Sequence, residues 1–167
     1  AKLPEDARLI IPLLSETNQL LGVQGRALGD HMLRYATAKL DENYPKTFGL
    51  ERIKKNKPIL VVEGPIDSLF LPNCVATADA NLLKFQQGTV YIPDNQYRNY
   101  EICRIVDKII DAGKRICLFP RELDGLKDIN DMIKEGNMSQ ADLLKIIASN
   151  TFSGMKAKLM FSKLRGV

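Results

Sequence analysis

Tryptophan is absent from this 167-residue chain, histidine occurs once, at His31, and cysteine three times. Cys74, Cys103 and Cys117 are far apart, and no Cys-x-x-Cys pair occurs. A structural zinc site of the usual Cys/His kind is therefore not expected. So few thiols, odd in number, suit a reducing compartment, and each is expected to pack as a small core residue. With one imidazole in the chain, a histidine proton shuttle is not expected either. Any catalysis has to rest on carboxylates, amines, hydroxyls or a bound metal. No run of about 18 apolar residues occurs, so a transmembrane helix is not expected. The first fifteen residues lack a basic start followed by a long apolar stretch, which argues against a signal peptide. The chain starts at Ala1 without an initiator Met and is expected to be a piece of something longer.

What is present is an ordinary globular composition. At 45% hydrophobic and 26% charged residues, the chain is neither disordered nor fibrous. Its length suits one domain with some flanking structure. The charge is unevenly placed. Residues 1–58 hold ten Lys/Arg and seven Asp/Glu, residues 59–150 ten against thirteen, and residues 151–167 four against none. An acidic middle is thus flanked by two basic ends. This is either chance surface variation or a metal-binding centre between surfaces for a polyanion.

Short apolar runs alternate with helical patterns in the middle section. Residues 58–63, 74–78, 89–93 and 115–119 read as four strands. Near-continuous apolar runs of this length suit a sheet covered on both faces. Between them, Asn99 caps a helix with apolar positions at Ile102, Ile105, Val106, Ile109 and Ile110, and Gly113 stops it. A shorter helix starts at Pro65 and must end before Pro72. Asn81 to Gln87 reads as another short helix, and Ser139 to Asp142 as a capping box. Residues 154–165 read as a basic terminal helix, with Met155, Leu159, Met160 and Leu164 on one face. The alternation predicts an α/β fold with a mainly parallel sheet. Upstream, Arg8–Leu14 and Gln19–Leu28 read as two strands joined by the turn at residues 15–18, with Leu33–Leu40 a third. This is a small lobe, partly antiparallel.

Carboxylates follow the predicted strands. Glu63 ends the first, Asp94 follows the third, and Asp128 and Asp131 come shortly after the fourth. Strands of a parallel sheet open their C-terminal ends on one edge, where open α/β sheets bind ligands. Asp67, one helical turn past Glu63, faces the same edge. Converging carboxylates either rise in pKa or take up a cation. With oxygen donors alone, Mg²⁺ or Mn²⁺ is the natural cation, and such a rim suits phosphoryl transfer. Each acid also has a local explanation. Asp67 complements a helix dipole, Asp94-Asn95 makes a turn, and Asp128 caps the helix that follows it.

The segment from Val61 to Ser68 (Val-Val-Glu-Gly-Pro-Ile-Asp-Ser) resembles the first motif of the TOPRIM domain. That domain is shared by primases, type II and IA topoisomerases and some nucleases. Asp94-Asn95-Gln96 resembles its Asp-x-Asp motif, with Gln96 in place of the second acid. Lys127-Asp128-Ile129-Asn130-Asp131 resembles its later acidic motif. Upstream, residues 8–12, 22–28 and 48–50 are similar to the stretch that precedes TOPRIM in bacterial-type (DnaG-like) replicative primases. The variant details look closest to primases of tailed bacteriophages. Similar segments span most of residues 8–136.

The resemblance implies a mainly parallel four-stranded sheet flanked by helices, preceded by a small basic lobe. It implies three parts: residues 1–57, a partial basic lobe; 58–136, the TOPRIM domain; and 137–167, a C-terminal helical segment. Glu63 and Asp94 are then the catalytic acids. Glu63, Asp67, Asp94, Asp128 and Asp131 are the metal-binding set for Mg²⁺ or Mn²⁺, without zinc. Arg26, Arg34, Lys39, Lys46 and Lys127 are the candidates for nucleotide or DNA phosphates. The implied activity is template-directed synthesis of short RNA primers on single-stranded DNA. The implied partners are ribonucleoside triphosphates and a replicative helicase, in the cytoplasm of a bacterial host, with no membrane. Two alternatives stay open at this level: a TOPRIM-type nuclease, and a non-catalytic fragment that binds DNA or helicase.

Overall fold

The structure is a computed structural model that describes residues 6–29 and 32–165. His31 lies outside the described residues. Two sheets organise the rest. The first is antiparallel, with β1 (Arg8–Leu14), β2 (Leu20–Ala27) and β3 (Tyr35–Lys39) in that order. The turn at residues 15–18 is where the polar residues put it. Asn18 takes φ 61 there, a left-handed conformation that Asn tolerates better than most side chains.

The second sheet has order β5-β4-β6-β7-β8. Its members are β4 (Leu60–Val62), β5 (Cys74–Ala76), β6 (Val90–Tyr91), β7 (Ile116–Cys117) and β8 (Thr151–Phe152). The first four pair in parallel and match the four predicted strands. The fifth is an addition: β8 pairs antiparallel with β7, Ile116 opposite Phe152. Two residues between helices carry no readable alternation, so nothing local marks them as a strand.

Five helices cover this sheet: α1 (Pro65–Leu69), α2 (Tyr100–Asp111), α3 (Ile129–Lys134), α4 (Gln140–Ser149) and α5 (Gly154–Leu164). Alternation along β4 separates two cores. Val61 points into one with Val106, Ile109, Ile110 and Phe161, from α2 and α5. Leu60 and Val62 point into the other with Ile129, Met132, Leu143 and Ile147, from α3 and α4. Each such buried apolar side chain contributes about 1.5–3 kcal/mol relative to exposure. Two further local expectations are corrected. Residues 81–87 form only a 3₁₀ turn at Leu82–Lys84, capped by Asn81. On α5, Ala157 and Phe161 face the core, whereas Met155 and Leu159 are 80% and 56% exposed.

The two sheets touch near the C-terminal ends of β4 and β5. Phe48 bridges Ala76, and the Gln24 amide on β2 donates to the Ala78 carbonyl at 3.5 Å. Ala78 takes φ 49, an uncommon conformation for a residue with a Cβ. Its N–H donates to the Glu63 carbonyl at 3.0 Å.

Candidate active site

A cleft of about 500 Å³ opens where the antiparallel sheet overhangs the C-terminal edge of the parallel one. Glu63, Asp67, Asp94, Asp128 and Asp131 all line it. Glu63 follows directly on β4, and Asp67 stands in the first turn of α1. Asp94 lies past β6, Asp128 is the N-cap of α3, and Asp131 is in that helix's first turn.

Backbone N–H groups hold two of these acids in place. Asp128 Oδ1 accepts the Asp131 N–H at 2.8 Å, so its capping role and its place in the cleft coincide. Asp67 Oδ1 accepts the Asn130 N–H at 2.8 Å. Gly64 leaves room beside it, because a Cβ there would lie 2.2 Å from Asp67 Oδ2 and would have to displace that oxygen. Asn95, next to Asp94, acts as a clamp. Its side-chain amide donates to the carbonyls of Leu123 and Leu126 at 2.9 and 3.1 Å. Its backbone N–H donates to the Lys127 carbonyl at 2.6 Å. The loop carrying Lys127 and Asp128 is thereby fixed against Asp94.

The crowding of carboxylates shows in their protonation. Burial, then the charges of Glu63, Asp67 and Asp128, push Asp94 up to about 8, and Lys127 opposes them. Burial and Asp128 push Asp67 up to about 6, against the Asn130 N–H and Arg26. Burial and Asp79 raise Glu63. Such a cluster is relieved by a cation. Among the described residues, no three acids close into a ready-made cage. An open rim of oxygen donors nonetheless fits Mg²⁺, which takes one or two carboxylates and completes its shell with water and substrate phosphate.

The opposite wall is cationic. Arg26 and Arg34 line the cleft with Tyr35, and their guanidinium carbons lie 5.8 and 6.0 Å from the Tyr35 ring centre. Lys127 stands 3.7 Å from Asp128 and 3.9 Å from Asp131. Lys39 and Lys46 do not line the cleft. Lys39 is drawn back to Glu42, 3.3 Å away, and Lys46 acts from outside the lining on the charge of Asp79. Gln96, in the position of the missing second acid, does line it.

Three lining residues escaped the sequence reading. Asp79 follows β5, and the rule that singled out Glu63 and Asp94 applies to it as well. Burial pulls Asp79 up, but Lys84 at 2.5 Å, the Asn81 N–H and the charge of Lys46 together outweigh this and hold it below the usual range. Lys134 lies one turn after Asp131 on α3. Gln24 is nearly inaccessible, and only the packing of β2 against the loop after β5 brings it to the cleft.

No protein-family model matches the chain. The fold, however, is that of DnaG-type primase catalytic cores. It superposes on the E. coli primase catalytic core with TM-score 0.64 and 18% identity, over 93% of this chain and 55% of that one. It also superposes on a DnaG primase catalytic domain bound to single-stranded DNA, with TM-score 0.57 and 21% identity, over 85% of this chain and 51% of that one. Within that class the chain is homologous to the DNA primase of Enterobacteria phage T4, 31% identical over 163 residues. The match covers 95% of this chain and 47% of the relative, so the chain spans about half the length of the curated relative it matches.

Proposed function

We propose that this chain carries the catalytic centre for template-directed synthesis of short RNA primers on single-stranded DNA. The observation that carries the reading is the cleft itself, lined by six carboxylates and faced by Arg26 and Arg34. Homology to a phage DNA primase supports it. On this reading residues 1–57 serve as the basic lobe, 58–136 as the acid-bearing domain and 137–167 as the segment that completes its sheet. The substrates are ribonucleoside triphosphates and a single-stranded DNA template. The setting is a bacterial cytoplasm, with a replicative helicase as partner. No helix among the described residues is long and apolar enough to cross a membrane.

Glu63, Asp94 and Asp128 would hold the divalent cation, with Asp67 and Asp131 beside them. When bound, Mg²⁺ or Mn²⁺ supplies charge neutralisation and Lewis acidity at the reacting phosphate. The chain's own groups do the rest. Arg26 and Arg34 bind phosphate oxygens of the incoming nucleotide or template, opposite the acids. Lys127 offsets the negative charge of Asp128 and Asp131. The reaction joins a ribose 3′-oxygen to the α-phosphorus and releases pyrophosphate. The hydroxyl's proton passes to a carboxylate of the rim that the cation leaves free, and from there to solvent.

The test is a primer-synthesis assay with labelled single-stranded DNA, ribonucleotides and Mg²⁺ or Mn²⁺. Template-dependent oligoribonucleotides are expected, reduced about 100-fold or more in Glu63→Gln and Asp94→Asn with the fold retained. Wild-type activity in Glu63→Gln, or shortened DNA without RNA product, overturns the reading.

A further inference from the structure

The same sheet edge carries a second depression, of about 770 Å³, lying over the ends of β6 and β7. Gln96 and Lys127 line both cavities, so the two meet across that pair. Their electrostatics are opposite. The first is lined by six carboxylates and four cationic side chains. The second is lined by Arg98, Arg121 and Lys127 against Asp124 alone.

The cations of the second groove are only lightly engaged. Arg98 is 89% exposed along its side chain and lies 3.9 Å from Asp124, a spacing at which an exposed pair is worth little. Arg121 is exposed, and one of its guanidinium nitrogens donates to the Lys163 carbonyl at the end of α5. That bond anchors the loop after β7 and leaves the rest of the guanidinium fork for another acceptor. The floor is firm. Tyr97 is buried, and its hydroxyl accepts the Phe119 N–H at 2.8 Å. The Asn99 side chain is already committed to capping α2. With its one aromatic ring buried in the floor, the groove has no stacking platform for bases. It is built to meet phosphate without reading sequence.

We propose that this groove is a phosphodiester track: Arg98, Arg121 and Lys127 hold the sugar–phosphate backbone of a nucleic-acid strand where it leaves the acid-lined cleft. The inference rests on the primer-synthesis reading of that cleft. The strand is single, and its chemistry is shared by template DNA and product RNA. A cavity larger than one phosphate needs, sharing Gln96 and Lys127 with the acid-lined cleft, favours a strand over a free anion.

The experiment measures binding of labelled single strands of about 16 nucleotides, the upper end of compact single-strand footprints. DNA forms one arm and RNA the other, both in metal-free buffer over a range of salt. Primer synthesis by the same preparations is measured in parallel. Arg98→Ala is expected to weaken binding several-fold and to reduce the slope of log K against log salt by about 0.7 for the lost contact. Asp124→Asn, which removes the opposing charge, is expected to strengthen binding. Both side chains are exposed, so both variants should keep the wild-type Tm. An effect in the DNA arm assigns the template strand, and an effect in the RNA arm assigns the product strand. Unchanged binding of both strands in both variants, or no binding by the wild type, overturns the track. Absent primer synthesis with Arg98-dependent binding intact overturns the catalytic reading and leaves the track standing. Primer synthesis with Arg98-independent binding does the reverse.

Discussion

Asp67 on α1 accepts the backbone N–H of Asn130 on α3 at 2.8 Å, across 63 positions of sequence. One carboxylate therefore serves two ends. It faces the cleft, and it satisfies an N-terminal amide that the short helix α3 cannot satisfy itself. The bond ties the acid that follows β4 to the acids that follow β7.

That tie separates structure from chemistry at one residue. Asp67→Ala removes the acceptor and is expected to cost about 1 kcal/mol, the usual worth of a helix cap. Asp67→Asn retains an acceptor oxygen and should recover most of that loss, but not the charge in the cleft. Thermal denaturation with primer synthesis checks this. Equal Tm losses in the two variants would show that the bond carries no stability.

Gly64→Ala addresses the same acid from its other side. The added methyl meets Asp67 Oδ2 at 2.2 Å, while Oδ1 is held by Asn130. The carboxylate must turn or the bond must lengthen. The expected outcome is a loss of activity of about tenfold or more, the scale set by displacement of positioned groups. Gly64→Ala with wild-type activity would mean that Asp67 has room to move.

The pH dependence of stability follows from Asp94. Its folded pKa of about 8 lies above the ordinary 3.8, so the folded chain holds this proton more tightly than the unfolded one. The associated stability is complete below about pH 4 and is lost as pH rises through about 8. In metal-free buffer, Tm of the wild type should fall relative to Asp94→Asn between these limits. Mg²⁺ should raise the wild-type Tm more at pH 8 than at pH 5. A constant Tm difference across that range would contradict the burial and carboxylate crowding that raise the pKa.

Ala78 offers a stabilising change. At φ 49 its Cβ sits in the left-handed region, where glycine carries no steric penalty. Ala78→Gly is expected to be neutral or to raise stability by up to about 1 kcal/mol. Greater unfolded-state freedom of glycine partly offsets the relief. Denaturant titration reads the difference directly.

Much of this architecture is legible from local pattern. The apolar runs mark β4 to β7, Asn99 and Gly113 bracket α2, and Ser139 opens α4, because strand burial and helix caps leave compact signatures. Glu63, Asp94 and Asp128 were equally visible, since each follows a recognisable strand or opens a helix. Asp79 was open to the same rule, but β5 is a weaker strand signal. β8 was not visible, because two residues show no period. Nor was the outward turn of Met155 and Leu159, since a helix with apolar residues around much of its surface leaves the choice of face to its neighbours.

The amino-acid order by itself therefore determined β4 to β7, the helices α2 and α4, and the places of Glu63, Asp94 and Asp128 at strand ends or a helix start. These depend on neighbours within a few positions. Only the tertiary structure decided which charges share a cavity. It brought Arg26 and Arg34 over the acids and left Lys39 with Glu42. It also set Arg98 and Arg121 along one groove, although 23 positions separate them in the chain. Electrostatic partnership depends on distance through space and on burial, and neither is a property of sequence spacing.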